Sequence, residues 1–176
     1  GAVMERMQTM ARRGDGVREL VDCRELFAEV AKLAEAEARI RDITIELTFG
    51  GKLPLLMVDG VQVQQVALNL LRNGMEAMEA INCRNGRIIR LKIGLTDERF
   101  VQVDVVDSGC GVAIEDAEDL FAPFATTKKS GMGLGLSICR AIVTSQGGYL
   151  GYRNNSSVGA TFFFTLPPAP QGEPDG

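Results

Sequence analysis

Hydrophobic residues recur at helical spacing in three long segments of the chain, at residues 23–41, about 60–81 and about 133–146. In the first segment, one face carries Leu26, Phe27, Val30, Leu33 and Ala34. In the second, the apolar side carries Val63, Val66, Leu70 and Met78. Asp59 is a good N-cap for the second helix, and Gly147–Gly148 ends the third. The pattern therefore predicts three helices.

Alternating apolar and polar positions predict strands between these helices. The predicted strands cover residues 18–22, 43–48, 55–58, 87–95, 100–106, 149–153 and 160–166. Two pairs of them are close enough along the chain to form antiparallel hairpins. The order of elements predicts an α+β fold: a two-layer α/β sandwich with a mixed, mostly antiparallel sheet of about five strands and three helices on one face.

The same pattern and the composition divide the chain into three segments. Apolar positions recur at helical spacing in residues 1–13, which predicts a short helix or the tail of a longer one. Residues 18–167 form the predicted globular domain. Residues 168–176 are rich in Pro, Gly and acidic residues, which predicts a disordered tail.

Composition narrows the chemistry that this chain can perform. The 176 residues include no histidine, which excludes the usual serine and cysteine triads, His-ligated metals and imidazole acid–base catalysis. The net charge of −4 does not fit a nucleic-acid-binding surface, and no apolar run approaches the length of a membrane span. The four cysteines form no CxxC pair, so we interpret them as reduced thiols. The remaining candidates for chemistry are amides, carboxylates, Lys, Arg and backbone N–H groups.

The second predicted helix carries a polar stripe formed by Gln65, Asn69, Asn73 and Glu76. Asn69 and Asn73 are one turn apart, so their amides lie above one another. One interpretation is a solvated helix face, or amides that bond a neighbouring backbone. The other is that their carbonyl oxygens face a Mg²⁺–triphosphate, because Mg²⁺ prefers oxygen ligands.

A second candidate lies at residues 101–112, VQVDVVDSGCGV, where a strand ends at Asp107. A carboxylate at a strand end can accept a hydrogen bond from an exocyclic amine. Gly109 and Gly111 would let the backbone approach a flat ring closely. The alternative is an ordinary Asp-Ser-Gly turn.

The segment SGMGLGLSICRAIV, residues 130–143, places three alternating glycines before a helix. Free N–H groups and the positive end of the helix dipole favour phosphate there, whereas the alternative is a flexible hinge. The preceding segment, LFAPFATTKKSG, would be anchored by Phe121 and Phe124 and could close over phosphates. Lys128 would supply a mobile charge, while Lys129 fits a solvated loop better.

The order of these motifs resembles the catalytic domain of sensor histidine kinases, within the ATPases that include gyrase, Hsp90 and MutL. NLLRNGMEAM resembles the N box, VDSGCGV the G1 box, LFAPFATTK the F box, GMGLGLSICRAIV the G2 box and GATFFFTLP the G3 segment. The resemblance covers roughly residues 20–166. It implies a Bergerat fold. The sequence around the G2 box is similar to that of the oxygen-sensing and nitrogen-regulatory kinases.

The resemblance implies a role for each matching position. Asn73 would ligate Mg²⁺, with Asn69 beside it toward the phosphates, and Asp107 would accept from the adenine amino group. Gly109 and Gly111 would seat the base, and Thr161 would lie near it through water. The phosphates would be held by a lid comprising Thr126, Thr127, Lys128, Gly131, Met132, Gly133, Leu134, Gly135 and Leu136. Asn69, Asn73 and Lys128 would be the residues that assist transfer.

The resemblance also implies a function. Related hydrolytic members carry a glutamate at the position of Asn69, and a neutral amide cannot take a proton from water. Slow hydrolysis would preserve ATP for transfer to a protein nucleophile. Because the chain has no histidine, the acceptor would be a histidine on a separate helical hairpin, with a response regulator downstream. Residues 1–17 would be the end of that preceding hairpin or a linker. Alternatives are a same-fold Ser/Thr kinase of the anti-sigma type and a non-catalytic docking module.

The resemblance further implies where the domain works. The isolated domain would be monomeric, whereas the full-length kinase from which it comes, the parent, would be a homodimer. The expected location is the bacterial cytoplasm, with no nucleic-acid partner and no membrane contact by this piece. The parent could be soluble or membrane-anchored.

Overall fold

The computed structural model describes residues 17–80, 87–112, 121 and 133–170. Their helices are α1 (Cys23–Ile40), α2 (Gly60–Ala80) and α3 (Gly133–Ser145). Their strands are β1 (Glu19–Val21), β2 (Thr44–Phe49), β3 (Leu56–Val58), β4 (Ile88–Leu95), β5 (Val101–Val106), β6 (Leu150–Asn154) and β7 (Ala160–Leu166). Each helix and strand predicted within these residues is present. The helix predicted over residues 1–13 lies outside the described residues.

The main sheet has five strands in the order β2-β4-β5-β7-β6. Strands β2 and β4 are parallel, and the other three neighbouring pairs are antiparallel. The parallel pair follows from the connection, because the chain runs from β2 through β3 and the long helix α2 before it enters β4. The mixed, mostly antiparallel sheet and the two-layer fold are confirmed.

The helices pack over the sheet in the same lateral order as the strands that they contact. Helix α1 contacts β2, α2 contacts β4 and β5, and α3 contacts β6 and β7, while α2 touches both other helices. Alternate strand residues face this layer: Val101, Val103 and Val105 of β5 are each 0% exposed. The predicted apolar faces of α1 and α2 are buried, except that Leu33 is 55% exposed. Leu33 thus shares the predicted apolar face of α1 but is not buried with it.

N-caps define where α1 and α2 begin, and an ion-pair cluster joins the two helices. Asp22 caps α1, and the Asp59 carboxylate accepts from the backbone N–H groups of the first turn of α2, as predicted. Near the end of α1, Glu37 pairs with Arg72 of α2 and with Arg41. Burial alone would raise the Glu37 pKa, but Arg72 and Arg41 outweigh burial and lower it.

The sequence did not predict that the two shortest strands form a separate sheet. β1 and β3 pair antiparallel, with Leu20 opposite Met57. Pro168 bridges to Leu56, and the Ala169 N–H donates to the Leu55 carbonyl at 2.8 Å. The chain therefore still contacts this small sheet at the start of the segment for which the sequence predicts a disordered tail. Residues 171–176 lie outside the described part.

No helix among the described residues has the length and apolarity that a bilayer crossing requires.

Candidate functional site

Asp107 lies just beyond the end of β5 and is 4% exposed. One oxygen of its carboxylate, Oδ1, accepts from the Gly109 N–H at 2.8 Å and from the Ala160 N–H at 3.2 Å. The Asp107 N–H in turn donates to the Ala160 carbonyl at 3.0 Å. A buried carboxylate is costly unless it accepts hydrogen bonds, and these two N–H groups provide them. Because both bonds reach Oδ1, they fix the orientation of the carboxylate.

Helix α2 approaches this carboxylate closely because glycines stand at the contact. A Cβ on Gly74 would lie 2.6 Å from Ile89 Cδ1 and 3.3 Å from Asp107 Cβ. A Cβ on Gly109 would lie 2.6 Å from the carbonyl carbon of Ala77. Gly109 therefore allows close packing against α2, whereas its approach to a flat ring stays a prediction. Gly74 was not among the predicted site residues, yet a glycine inside a helix is a signal of close packing.

Asn69 and Asn73 are 3% and 7% exposed, so a solvated helix face is the wrong interpretation for both. Asn73 directly precedes Gly74, the residue of α2 that lies against Asp107. Asn69 Oδ1 accepts from Gln65 Nε2 at 3.4 Å, and Asn69 Nδ2 donates to Cys139 Sγ at 3.5 Å. The two stacked amides thus lie inside the fold, between the Asp107 loop and α3.

The Cys139 contact brings the first turns of α3 next to Asn69. Burial raises the pKa of the Cys139 thiol to about 12, so it remains a neutral thiol. Within the predicted phosphate segment, Gly133 begins α3 and Leu136 is buried. A Cβ on Gly135 would meet no atom within 4 Å, so packing does not require glycine there.

The other residues predicted for the lid lie outside the described residues: Thr126, Thr127, Lys128, Gly131 and Met132, together with the side chain of Leu134. Phe121 is described: its ring lies 6.5 Å from that of Tyr152 and 5.4 Å from the Arg140 guanidinium carbon. The expectation that Phe121 packs against the core at one end of this segment agrees with these contacts.

Gly111 has φ of 74°, a left-handed conformation that favours glycine, and its loop is held from β6. The Val112 N–H donates to Asn154 Oδ1 at 2.8 Å, and Asn154 Nδ2 donates to the Val112 carbonyl at 2.9 Å. A Cβ on Gly111 would lie 3.0 Å from that same Oδ1. The glycine therefore allows both the turn and the contact that holds it.

Thr161 is placed differently from the other site candidates. Its neighbours Phe162 and Phe164 face the core, so the pleat directs Thr161 to the opposite side of β7. There it is 1% exposed, and its hydroxyl donates to Asn155 Oδ1 at 2.6 Å. The β7 residue that contacts the Asp107 carboxylate is Ala160, through its backbone N–H. The sequence analysis did not single out Ala160 or Asn155.

The described site thus joins α2, the end of β5 and the start of β7, with α3 alongside. It combines a buried carboxylate acceptor, two stacked amides and close-packed glycine backbone. Such an arrangement can bind an amine-bearing ring at one end and an oxygen-rich, metal-bound group at the other.

Comparison with known proteins identifies the family to which such a site belongs. Residues 58–170 match the family described as histidine kinase-, DNA gyrase B- and HSP90-like ATPase. The chain is 35% identical over 169 residues to the sensor protein FixL of Bradyrhizobium diazoefficiens, covering 96% of this chain and 33% of FixL. It is 33% identical over 174 residues to the C4-dicarboxylate transport sensor protein DctS of Rhodobacter capsulatus, covering 99% of this chain and 26% of DctS.

Solved structures agree with these matches. The nucleotide-free catalytic domain of the histidine kinase ThkA has a TM-score of 0.73 at 31% identity, covering 85% of this chain and 95% of that one. Full-length ShkA in complex with AMPPNP has a TM-score of 0.75 at 28% identity, covering 86% of this chain and 31% of that one.

The chain belongs to the histidine kinase-, DNA gyrase B- and HSP90-like ATPase family. Within that family, it is an ATP-binding catalytic domain of the sensor histidine kinase type. It spans 33% of FixL and 26% of DctS, so both relatives are much longer than the portion that matches.

Proposed function

We propose that this domain binds ATP with Mg²⁺ and transfers the γ-phosphate to a histidine carried by a helical domain of its parent protein. The observation that carries the proposal is the Asp107 carboxylate, buried at the end of β5 and locked by two backbone N–H groups beside α2. The kinds of relative that the chain matches, sensor kinases, favour histidine as acceptor over the Ser/Thr and docking alternatives.

At the adenine end, the geometry of Asp107 suits recognition of an amino group. Oδ1 is held by the Gly109 and Ala160 N–H groups, so the plane of the carboxylate cannot rotate freely. Oδ2 points toward α2, because it lies 3.6 Å from the position that a Cβ on Gly74 would take. A carboxylate fixed in this way accepts from the exocyclic amine of adenine and disfavours guanine, which presents a carbonyl oxygen there.

At the phosphate end, the buried amides fit a magnesium ion. Mg²⁺ takes hard oxygen ligands and retains phosphates and waters in its shell, so one or two side-chain oxygens suffice. Asn73 would hold the ion, with Asn69 one turn away toward the phosphates. When bound, Mg²⁺ supplies charge neutralisation at the transferring phosphate. Lys128 and the segment 131–136 would contact the phosphates from the other side.

Transfer itself would depend on positioning. As the N–P bond to the acceptor imidazole forms, the bond to the bridging oxygen breaks and its electron pair leaves with ADP. The chain has no histidine, so the acceptor must come from elsewhere. Asn69 lies buried where a hydrolytic relative would need a general base, and its neutral amide cannot activate water. A parent homodimer, a downstream response regulator and a cytoplasmic location belong to the same proposal.

Replacing Asp107 with asparagine tests the adenine end. The variant keeps the shape and an Oδ1 acceptor but presents an amide N–H₂ in place of the second oxygen. Hydrogen bonds to charged groups contribute about 1.5–3 kcal/mol, so ATP affinity should fall at least about tenfold. Titration with a fluorescent ATP analogue measures the loss, and thermal unfolding checks that the fold is intact. Unchanged affinity in a folded variant would remove Asp107 from the adenine site.

A further inference from the structure

We propose that Asn155, which follows β6, is a positioning residue that makes the site selective for a base carrying an amino group. The inference rests on the proposed function, because it acts through Asp107. Asn155 Nδ2 donates to the Asp107 backbone carbonyl at 2.9 Å and to the Val158 carbonyl at 3.0 Å. Asn155 thus approaches Asp107 from the side of the sheet opposite α2.

The orientation of the Asn155 amide is determined by its partners. Two carbonyl oxygens face one end of the amide, so that end must be the NH₂ group. The other end is then Oδ1, which can only accept, and it faces the Thr161 hydroxyl at 2.6 Å. Thr161 must therefore donate its single proton to Asn155. The buried threonine orients the amide, and the amide holds the Asp107 backbone.

The segment around Asn155 bonds Asp107 at two further atoms, its backbone nitrogen and Oδ1. The Ala160 carbonyl accepts from the Asp107 N–H, and the Ala160 N–H donates to Asp107 Oδ1. Within the segment, the Asn155 N–H donates to the Gly159 carbonyl at 2.9 Å and closes the turn. Gly159 has φ of 86°, and a Cβ there would lie 2.2 Å from the Asp107 carbonyl oxygen. The turn 155–159 is thus pressed against the backbone of Asp107.

These contacts hold Asp107 in place from both sides of the sheet. The Gly74 surface of α2 limits Asp107 from one side, and the Asn155 amide limits it from the other. Without the Asn155 bond, the Asp107 peptide can tilt, and the carboxylate loses its alignment with the amine of the base. The loss of binding affinity should appear only for ligands that present this amine, because other residues hold the phosphates.

The test compares ATP with purine riboside triphosphate, which lacks the 6-amino group, in the full 176-residue chain. For Asn155→Ala, the Kd for ATP should rise about five- to tenfold, because the misaligned Asp107 carboxylate weakens its hydrogen bond to the amine without losing it completely. The Kd for purine riboside triphosphate should change by less than about twofold. Ser156→Ala is the matched control, since Ser156 is an exposed residue of the same turn.

A second variant keeps the test decisive if Asn155→Ala does not fold. Thr161→Val removes the hydroxyl that orients Asn155 and should lower the preference for ATP over purine riboside triphosphate about two- to threefold. Equal losses for both ligands, or no loss for ATP, would overturn the role of Asn155. Failure of the unaltered protein to bind ATP would overturn the proposed function as well, and that result is seen before any variant is made.

Discussion

The carboxylate of Asp107 is stabilised by backbone groups, and this determines which neighbouring residues matter. Its Oδ1 partners are the N–H groups of Gly109 and Ala160, and its own carbonyl accepts from Asn155. Hydrogen bonds between N–H groups and a carboxylate are roughly twice as strong as neutral ones. The glycine and alanine beside Asp107 therefore contribute through their backbone, while Asn155 contributes through its amide.

Asn73 gives the residue-scale prediction for the metal. In Asn73→Ala, the side-chain oxygen proposed to ligate Mg²⁺ is lost, and thermal unfolding checks that the variant still folds without this buried amide. ATP affinity measured with Mg²⁺ should fall to about the value measured with EDTA, a loss of roughly tenfold or more. The unaltered protein should show a clear difference between Mg²⁺ and EDTA in the same titration. Identical affinities under both conditions would argue against a metal at Asn73.

The residues of the site were predictable to different degrees. Asp107, Gly109 and the pair of asparagines carry chemistry in their side chains or stand in a recognisable order of motifs. Ala160 acts through a backbone N–H, which leaves no trace in the sequence. Thr161 was assigned from the resemblance to the G3 segment, which does not show which side of β7 its side chain occupies; the burial of Phe162 and Phe164 shows that it lies on the side away from the core.

At the scale of elements, the site depends on how closely α2 lies against the loop that follows β5. Gly74 and Gly109 stand at this contact, where added Cβ atoms would fall 2.6 Å from Ile89 Cδ1 and from Ala77. Backbone atoms of Ala77 cannot move aside cheaply, whereas the tip of Ile89 can. Gly109 is therefore the stricter of the two positions.

Gly109→Ala should push the loop away from α2. The overpacked contact should lower the free energy of unfolding by about 1–3 kcal/mol and weaken ATP binding in the same variant. Gly94→Ala is the control, because a Cβ there would meet no atom within 4 Å, and its stability should be unchanged or slightly higher. Denaturant unfolding measures both. Equal stability of the two variants would show that the contact between Gly109 and α2 is not tight.

Most elements were predictable because their patterns are local, and the failures involve contacts that are not. The three helices and both hairpins begin and end within a few residues of their predicted bounds. The pairing of β1 with β3 was missed because strands of three residues carry little periodicity, and α1 and β2 separate them along the chain. Leu33 fits the helical period but lies at the edge of the buried face of α1, where it stays exposed.

At the scale of the whole molecule, the proposed function separates the nucleotide site from the acceptor. The described residues bring together parts of α2, β5, β7 and α3 for binding, while the absence of histidine from all 176 residues excludes self-transfer to that residue type. Binding and acceptor recognition are therefore separable steps that can be measured with separate polypeptides.

The most direct measurement supplies this protein with a helical hairpin that carries a histidine, together with radiolabelled ATP and Mg²⁺. The account predicts label on the hairpin that is lost in acid and kept in base, as expected for phosphohistidine, with little label on this chain. A hairpin whose histidine is replaced by glutamine should remain unlabelled. Acid-stable label on the hairpin, or no transfer to it by a protein that binds ATP, would contradict the account.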